Sequence, residues 1–238
     1  MKTNFHPDDA ELFEYSAGSS SWAISIAIAS HLHFCSKCKA RVASLNELAG
    51  EYVGSQLGAP VADDTFAKTM AMISHHDSTS FPIAGSSIKS SSLGDSSLVQ
   101  HDSSNTDYPE YLPKVLRKIM LKPRELHWKK ISKSLQSTQL TTGQNHYEVC
   151  LHKIKRGGSV IEHDHNGAEV VVVLDGSFSD LGGTYNAGDY LVRGPGEPHR
   201  PTAAMNQDCI CLSIAEAPVK LKGLLGLLMN PFLRIHPA

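Results

Sequence analysis

The sequence predicts an α+β protein in two domains: a small all-α domain over residues 1–76, a serine-rich linker over 77–107, and an all-β domain over 108–238. Three observations predict it. In the first part apolar residues recur at helical spacing behind capping residues. Eleven serines then crowd between Ser78 and Ser104 with no apolar period. Beyond Tyr108, short β-type runs alternate with Asn-Gly and Asp-Gly turns, the pattern of a barrel or sandwich.

Each helix has a start signal and a reason to stop. Asp8 or Asp9 can cap a first helix that runs to about Ala17, with Gly18 as its terminator. Ser19, Ser20 and Ser21 offer caps for a second, from Trp22 to about His33. A third spans about Ser36 to Tyr52, with Val42, Leu45, Leu48 and Ala49 on one face. Residues 64–75 form a short fourth helix whose stripe, Phe66, Met70 and Ile73, suits a core or a partner. The serine-rich stretch has the composition of a flexible linker. Predicted strands are Tyr147–Ile154, Ser159–His165, Glu169–Leu174, Tyr190–Arg193 and Cys209–Ile214. No internal repeat is evident.

Composition narrows the function classes. Of 238 residues, 41% are hydrophobic and 19% charged, enough for a core and too apolar for wholesale disorder. No apolar run approaches the roughly 18–20 residues that span a bilayer. The amino-terminal residues lack a basic start followed by an apolar stretch, so no secretory signal is expected and the expected place is the cytoplasm. Five unevenly spread cysteines in such a chain argue against a disulfide scaffold. Residues 1–107 carry 6 Lys/Arg against 12 Asp/Glu, and residues 108–238 carry 16 against 12. An acidic first half is poorly suited to a polyanion such as DNA and better suited to a basic protein partner. The basic stretch 108–135 around Trp128 reads as a solvated face.

His31, Cys35 and Cys38 stand at i, i+4 and i+7. On a helix, or across a helix-to-helix corner, they share a face. Two thiolates and imidazole suit a tetrahedral zinc ion, but H-x-x-x-C-x-x-C supplies three ligands and a closed site needs four. His6, beside Pro7 and just ahead of the first helix, can fold back to close it. His33 is the rival, but a continuous helix points it about 200° from His31. A thioredoxin-like redox pair would need a βαβ setting that the sequence does not show.

The second constellation is His163, His165, Glu169 and His199. On a strand His163 and His165 share a face, because the side-chain period is two. Asn166-Gly167 turns the chain and Glu169 opens the next strand. His199 follows the Gly/Pro-rich turn GPGEPH. Three imidazoles and a carboxylate converging inside a barrel can hold Zn²⁺, Fe²⁺, Mn²⁺ or Ni²⁺, and the ligand types do not choose among them. Cys209 and Cys211 alternate on a strand as a core pair. His75, His76, His101, His127, His146, His152 and His236 show no comparable spacing.

These residues carry a resemblance. Gly157-x5-His163-x-His165-x3-Glu169-x6-Gly176 resembles the first cupin motif, and His199 the histidine of the second. H-x-x-x-C-x-x-C resembles the zinc-binding anti-sigma motif. The two in this order, with His6 ahead of them, look like the ChrR family of anti-sigma factors. The resemblance implies a zinc-binding helical domain followed by a cupin jelly-roll barrel, with zinc in both sites. It implies a transcriptional regulator and not an enzyme. Residues 1–76 would sequester an extracytoplasmic-function type sigma factor, and the cupin would sense singlet oxygen or organic hydroperoxide and promote release. Neither direct nucleic-acid binding nor a membrane is implied. Two other readings stay open: a cupin metalloenzyme, a dioxygenase or isomerase with an accessory zinc module, and a direct DNA-binding regulator.

Overall fold

The computed structural model describes residues 3–58, 61–62, 64–75, 109, 111–120, 127–221, 230 and 233–237. The linker expected over 77–107 lies outside the described residues. Four helices come first: α1 (Asp9–Ala17), α2 (Trp22–Phe34), α3 (Ser36–Ser55) and α4 (Thr65–His75). A capping box starts α1: the Glu11 N–H donates to Asp8 Oδ1 (2.8 Å) and the Asp8 N–H to Glu11 Oε2 (2.9 Å). Gly18 ends it in the left-handed region at φ 70°. Ser21 caps α2 by accepting from the Ile24 N–H.

The sequence of α2, WAISIAIASHLHF, is apolar on nearly every side, the mark of a helix enclosed over most of its surface, and only Trp22 and His33 near its ends are exposed. Ala23, Ile26, Ala27, Ile28 and Ser30 are buried accordingly. The α2–α3 junction is a corner at Cys35, whose extended backbone (φ −105°, ψ 102°) breaks the helix. His31 and Cys38 therefore sit on two different helices.

After a short α5 (Lys114–Ile119) come, among the described residues, eleven strands: β1 (Lys129–Lys130), β2 (Leu135–Gln139), β3 (Glu148–Ile154), β4 (His163–His165), β5 (Glu169–Asp175), β6 (Ser177–Asp180), β7 (Gly183–Asn186), β8 (Tyr190–Arg193), β9 (Thr202–Ala203), β10 (Cys209–Ala215) and β11 (Val219–Leu221). All pair antiparallel, in a six-stranded sheet β1-β2-β3-β10-β5-β8, a three-stranded sheet β7-β6-β9, and the pair β11-β4. The expected fold class, helices followed by a β-domain of cupin type, is borne out. The strand expected over 159–165 is only three residues long. Ser159 joins Thr202 through an isolated bridge, as His163 joins His199, so the preceding residues span a gap between sheets.

The middle strands of the six-stranded sheet, β5 and β10 above all, are buried on both faces. Val149, Leu151, Val170, Val172, Leu174, Ile210, Leu212 and Ile214 share one core with Leu12, the buried face of α2, Val42 and Leu116. Alternate residues point the other way. Ile154, Val173, Cys209 and Cys211 form a second core with Phe178, Tyr185, Leu191 and Ala203. Two-sided burial explains the near-continuous apolar runs of β5 (EVVVVLD) and β10 (CICLSIA). The described residues of 3–49 and 109–237 accordingly form one compact unit, and those of 50–75 belong to another. Among the described residues no helix is long and apolar enough to cross a membrane.

Candidate metal centres

Three elements meet at the first cluster. His31 arrives on α2, Cys35 at the corner, and Cys38 in the first turn of α3. His6 arrives on the extended segment before α1. His6 Nδ1 lies 3.4 Å from His31 Nε2, 3.4 Å from Cys35 Sγ and 3.4 Å from Cys38 Sγ. One ligand atom from each of the four lies within 4.8 Å of every other. A tetrahedron with bonds of about 2.0–2.1 Å to nitrogen and about 2.3 Å to sulfur has edges of roughly 3.3–3.8 Å, so the set fits a four-coordinate ion. His33 is exposed, its ring against Phe34, and takes no part.

The surroundings prepare these groups as ligands. His31 Nδ1 donates to the Gly188 carbonyl at 2.6 Å, which leaves the Nε2 lone pair facing the cluster. Burial lowers the His31 pKa and keeps the ring neutral. Burial opposes ionisation of Cys35, but hydrogen bonds from Thr3, Cys38 and Lys37 outweigh it and hold the thiol below its ordinary value. Burial and the neighbouring Cys35 push Cys38 up to about 12. Without a cation between them, one thiol thus ionises well before the other.

The second cluster sits inside the barrel. His163 and His165 occupy β4, Glu169 opens β5, and His199 is tied to β4 by reciprocal backbone hydrogen bonds with His163 (3.1 and 2.9 Å). The three imidazole centroids lie 4.5–5.2 Å apart. His163 Nδ1 donates to the Ile161 carbonyl (2.8 Å), freeing Nε2. Ser213 Oγ donates to Glu169 Oε1 (2.6 Å), leaving Oε2 3.4 Å from His165 Nε2. Among the described residues His165 Nε2 and His199 Nδ1 are buried with no hydrogen-bond partner. Buried nitrogens without partners are costly, and a cation among these lone pairs would satisfy them. These four also lie within 4.8 Å of one another. Both groups are thus able to hold a metal ion.

A cavity of about 400 Å³ opens over this cluster. Its walls are largely apolar, with Ile161, Val171, Phe178 and Leu191 among them, and His152 and Arg193 also reach it. Arg193 Nη2 donates to Asp180 Oδ2 (3.2 Å) and to the Tyr185 hydroxyl (2.5 Å). Sequence reasoning passed over Ser213, His152 and Arg193. The signal for Ser213 was its place in the inward register with Cys209 and Cys211. Those two cysteines are buried in the inner core, as expected of a core pair.

Burial makes these rings poor bases. It lowers the pKa of His31, His165 and His199, the last to about 4, where the charge His163 would carry adds to the effect. In the unfolded chain the same rings titrate near 6.5. Between about pH 4 and 6.5 the unfolded state therefore binds more protons, and stability rises with pH. The metal-free chain is expected to have a lower urea midpoint at pH 5 than at pH 7.5. Equal midpoints would contradict buried neutral rings.

Residues 116–218 match the family model described as the ChrR cupin-like domain. Over 235 residues, 99% of this chain and all of the other, the sequence is 26% identical to the anti-sigma-E factor ChrR of Cereibacter sphaeroides. The solved structure of Rhodobacter sphaeroides SigE in complex with the anti-sigma ChrR is also similar. That match has a TM-score of 0.69 and 25% identity, and covers 90% of this chain and all of that one. The resemblance drawn from the two motifs is borne out along the whole chain.

Proposed function

We propose that this chain is a zinc-dependent anti-sigma factor of the ChrR kind: a regulator, not a catalyst, that works in the cytoplasm by sequestering an extracytoplasmic-function type sigma factor. The observation that carries this reading is the full-length similarity to ChrR together with two clusters of potential metal ligands in this chain, His6/His31/Cys35/Cys38 and His163/His165/Glu169/His199. In this reading residues 1–76 hold the partner, 77–107 are the linker and 108–238 are the sensor.

His6, His31, Cys35 and Cys38 would hold zinc, which two thiolates and two imidazoles favour. Such an ion contributes folding energy and joins the segment before α1 to α2 and α3. His163, His165, Glu169 and His199 would hold a second zinc in the barrel. An organic hydroperoxide can enter through the apolar cavity, and singlet oxygen needs no larger opening.

The partner-binding surface follows from exposure. Within residues 50–75, Tyr52 and Val53 on α3 are exposed, as are Phe66, Met70, Met72 and Ile73 on α4. Uncovered apolar side chains in such number mark an interaction surface. Glu51 stands beside those on α3. Acidic groups around apolar anchors suit a basic sigma factor, whose promoter-reading regions must meet phosphate. A barrel metalloenzyme leaves this helical surface and the first cluster unexplained.

Co-expression of the full chain with each alternative sigma factor of its cell should yield a soluble one-to-one complex with two zinc ions per regulator. Adding the regulator to core polymerase and that sigma factor should stop transcription from its promoter. A folded, zinc-loaded chain that binds none of these sigma factors would end this reading.

A further inference from the structure

We infer that the barrel's turn between β7 and β8 is part of the helical metal centre, with Asp189 as a positioning residue that holds His6 in place. The ligands His6 and His31 come from the helical segment. What fixes both of them comes from the barrel, some 160–185 residues further along the chain.

Asp189 is fully buried. A buried carboxylate is costly unless donors surround it, and this one has three. The Asn4 and Phe5 N–H groups donate to Oδ1 (2.7 and 3.2 Å), and the Asn186 N–H donates to Oδ2 (2.8 Å). The Tyr190 N–H donates back to the Phe5 carbonyl at 3.1 Å. The residue before His6 is thus held by both its amide and its carbonyl. The Tyr190 hydroxyl donates to Glu11 Oε1 (2.8 Å), the same side chain whose Oε2 closes the α1 capping box. On the other side of the cluster, the Gly188 carbonyl accepts from His31 Nδ1.

Gly188 is required where it stands. Its φ is 95°, a region that disfavours side chains. A Cβ there would lie 2.6 Å from Thr3 Cγ2 and 2.7 Å from Phe34 Cβ. Glycine therefore lets the turn come close enough to offer its carbonyl to His31.

The same strand reaches the second cluster. From Tyr190, β8 runs to Arg193, which pairs in register with Glu169, a span of about 10 Å. The positioning role stands on this geometry alone. Its regulatory meaning, that a change in the barrel alters how firmly the helical centre keeps its ion, rests on the sensor reading above.

The test uses the full chain loaded with Co²⁺ in place of zinc. Thiolate-to-cobalt absorption reports the Cys35/Cys38 site alone, because the barrel set has no sulfur ligand. Its decay is followed after addition of excess EDTA. Asp189→Ala is expected to speed the decay about 10–100-fold, the usual cost of removing an outer partner of a metal site. Leu212→Ala, which weakens the shared core without touching the turn, should lower thermal stability and leave the decay near wild type. Asp189→Asn, which keeps an acceptor for Asn4 and Phe5, should fall between, and it serves in the same comparison if the alanine variant does not fold. Wild-type decay in the folded Asp189 variants would overturn the proposal, as would equal acceleration by Leu212→Ala. Sigma-factor binding does not enter this readout, so its outcome is independent of the partner assignment.

Discussion

Cys38→Ser is expected to cut the zinc content from two ions per chain to one and to weaken the sigma-factor complex at least about 100-fold. Cys38 is buried, and its sulfur faces His6 at 3.4 Å. A serine hydroxyl is a far poorer ligand for a borderline-soft ion than a thiolate. Three remaining groups cannot close a tetrahedral site. Apparent binding energies of structural zinc run to about 10–16 kcal/mol, so much of the local order of the segment before α1 and of the α2–α3 corner is at stake. A 100-fold loss corresponds to about 2.7 kcal/mol. Elemental analysis and titration calorimetry with the sigma factor read both effects. A zinc count of one beside wild-type affinity would show that the ion does not shape the partner-binding surface.

Glu169→Ala should do the opposite: retain the complex and silence the response. Its carboxylate faces the barrel interior, held by Ser213, while the backbone of β5 keeps its pairing to β8 and β10. Removal leaves Ser213 Oγ without its buried acceptor, at a cost of about 1–3 kcal/mol, and leaves the barrel set with three imidazoles. Partner affinity should stay within a few-fold of wild type. Transcription from a promoter of the sigma factor should fail to rise under photosensitised singlet oxygen or organic hydroperoxide, conditions in which the proposed sensor role has the wild type induce. His163→Ala should behave alike. Full induction in either variant would remove the barrel cluster from the sensing step.

The two candidate metal clusters were legible because their spacing is local. His31, Cys35 and Cys38 fall within eight residues, and His163, His165 and Glu169 within seven. Even the distant members carried a mark: His6 beside Pro7, and His199 after a Gly/Pro-rich turn. Helix ends were legible for the same reason, since Asp8, Gly18 and Ser21 act on their immediate neighbours. The elbow at Gly188-Asp189 was not. It reads as an ordinary turn, and its partners at residues 3–6 lie at the far end of the sequence, with no periodicity to connect them. The apolar uniformity of α2 was the overlooked clue. A helix apolar on nearly every side needs cover over most of its surface, and the outer face of the six-stranded sheet supplies part of it. The strand over 159–165 was overextended because its alternation begins at Ser159, ahead of β4, where an isolated bridge to Thr202 stands in place of a continuous ladder.

The six-stranded sheet serves two rooms at once, as a party wall does. Even-numbered side chains of β5 and β10 furnish the helical room, and odd-numbered ones furnish the cavity. On the helical side such a partition has no spare layer to absorb a displacement, because that surface is packed against α2, while the other borders the cavity. A methylene added at Val172, which is fully buried on the helical side, is therefore expected to be felt at the helix behind it and, through the strand, at Val171 and Val173 on the cavity side. Evolution of the cavity and of the helices that face its back cannot be independent.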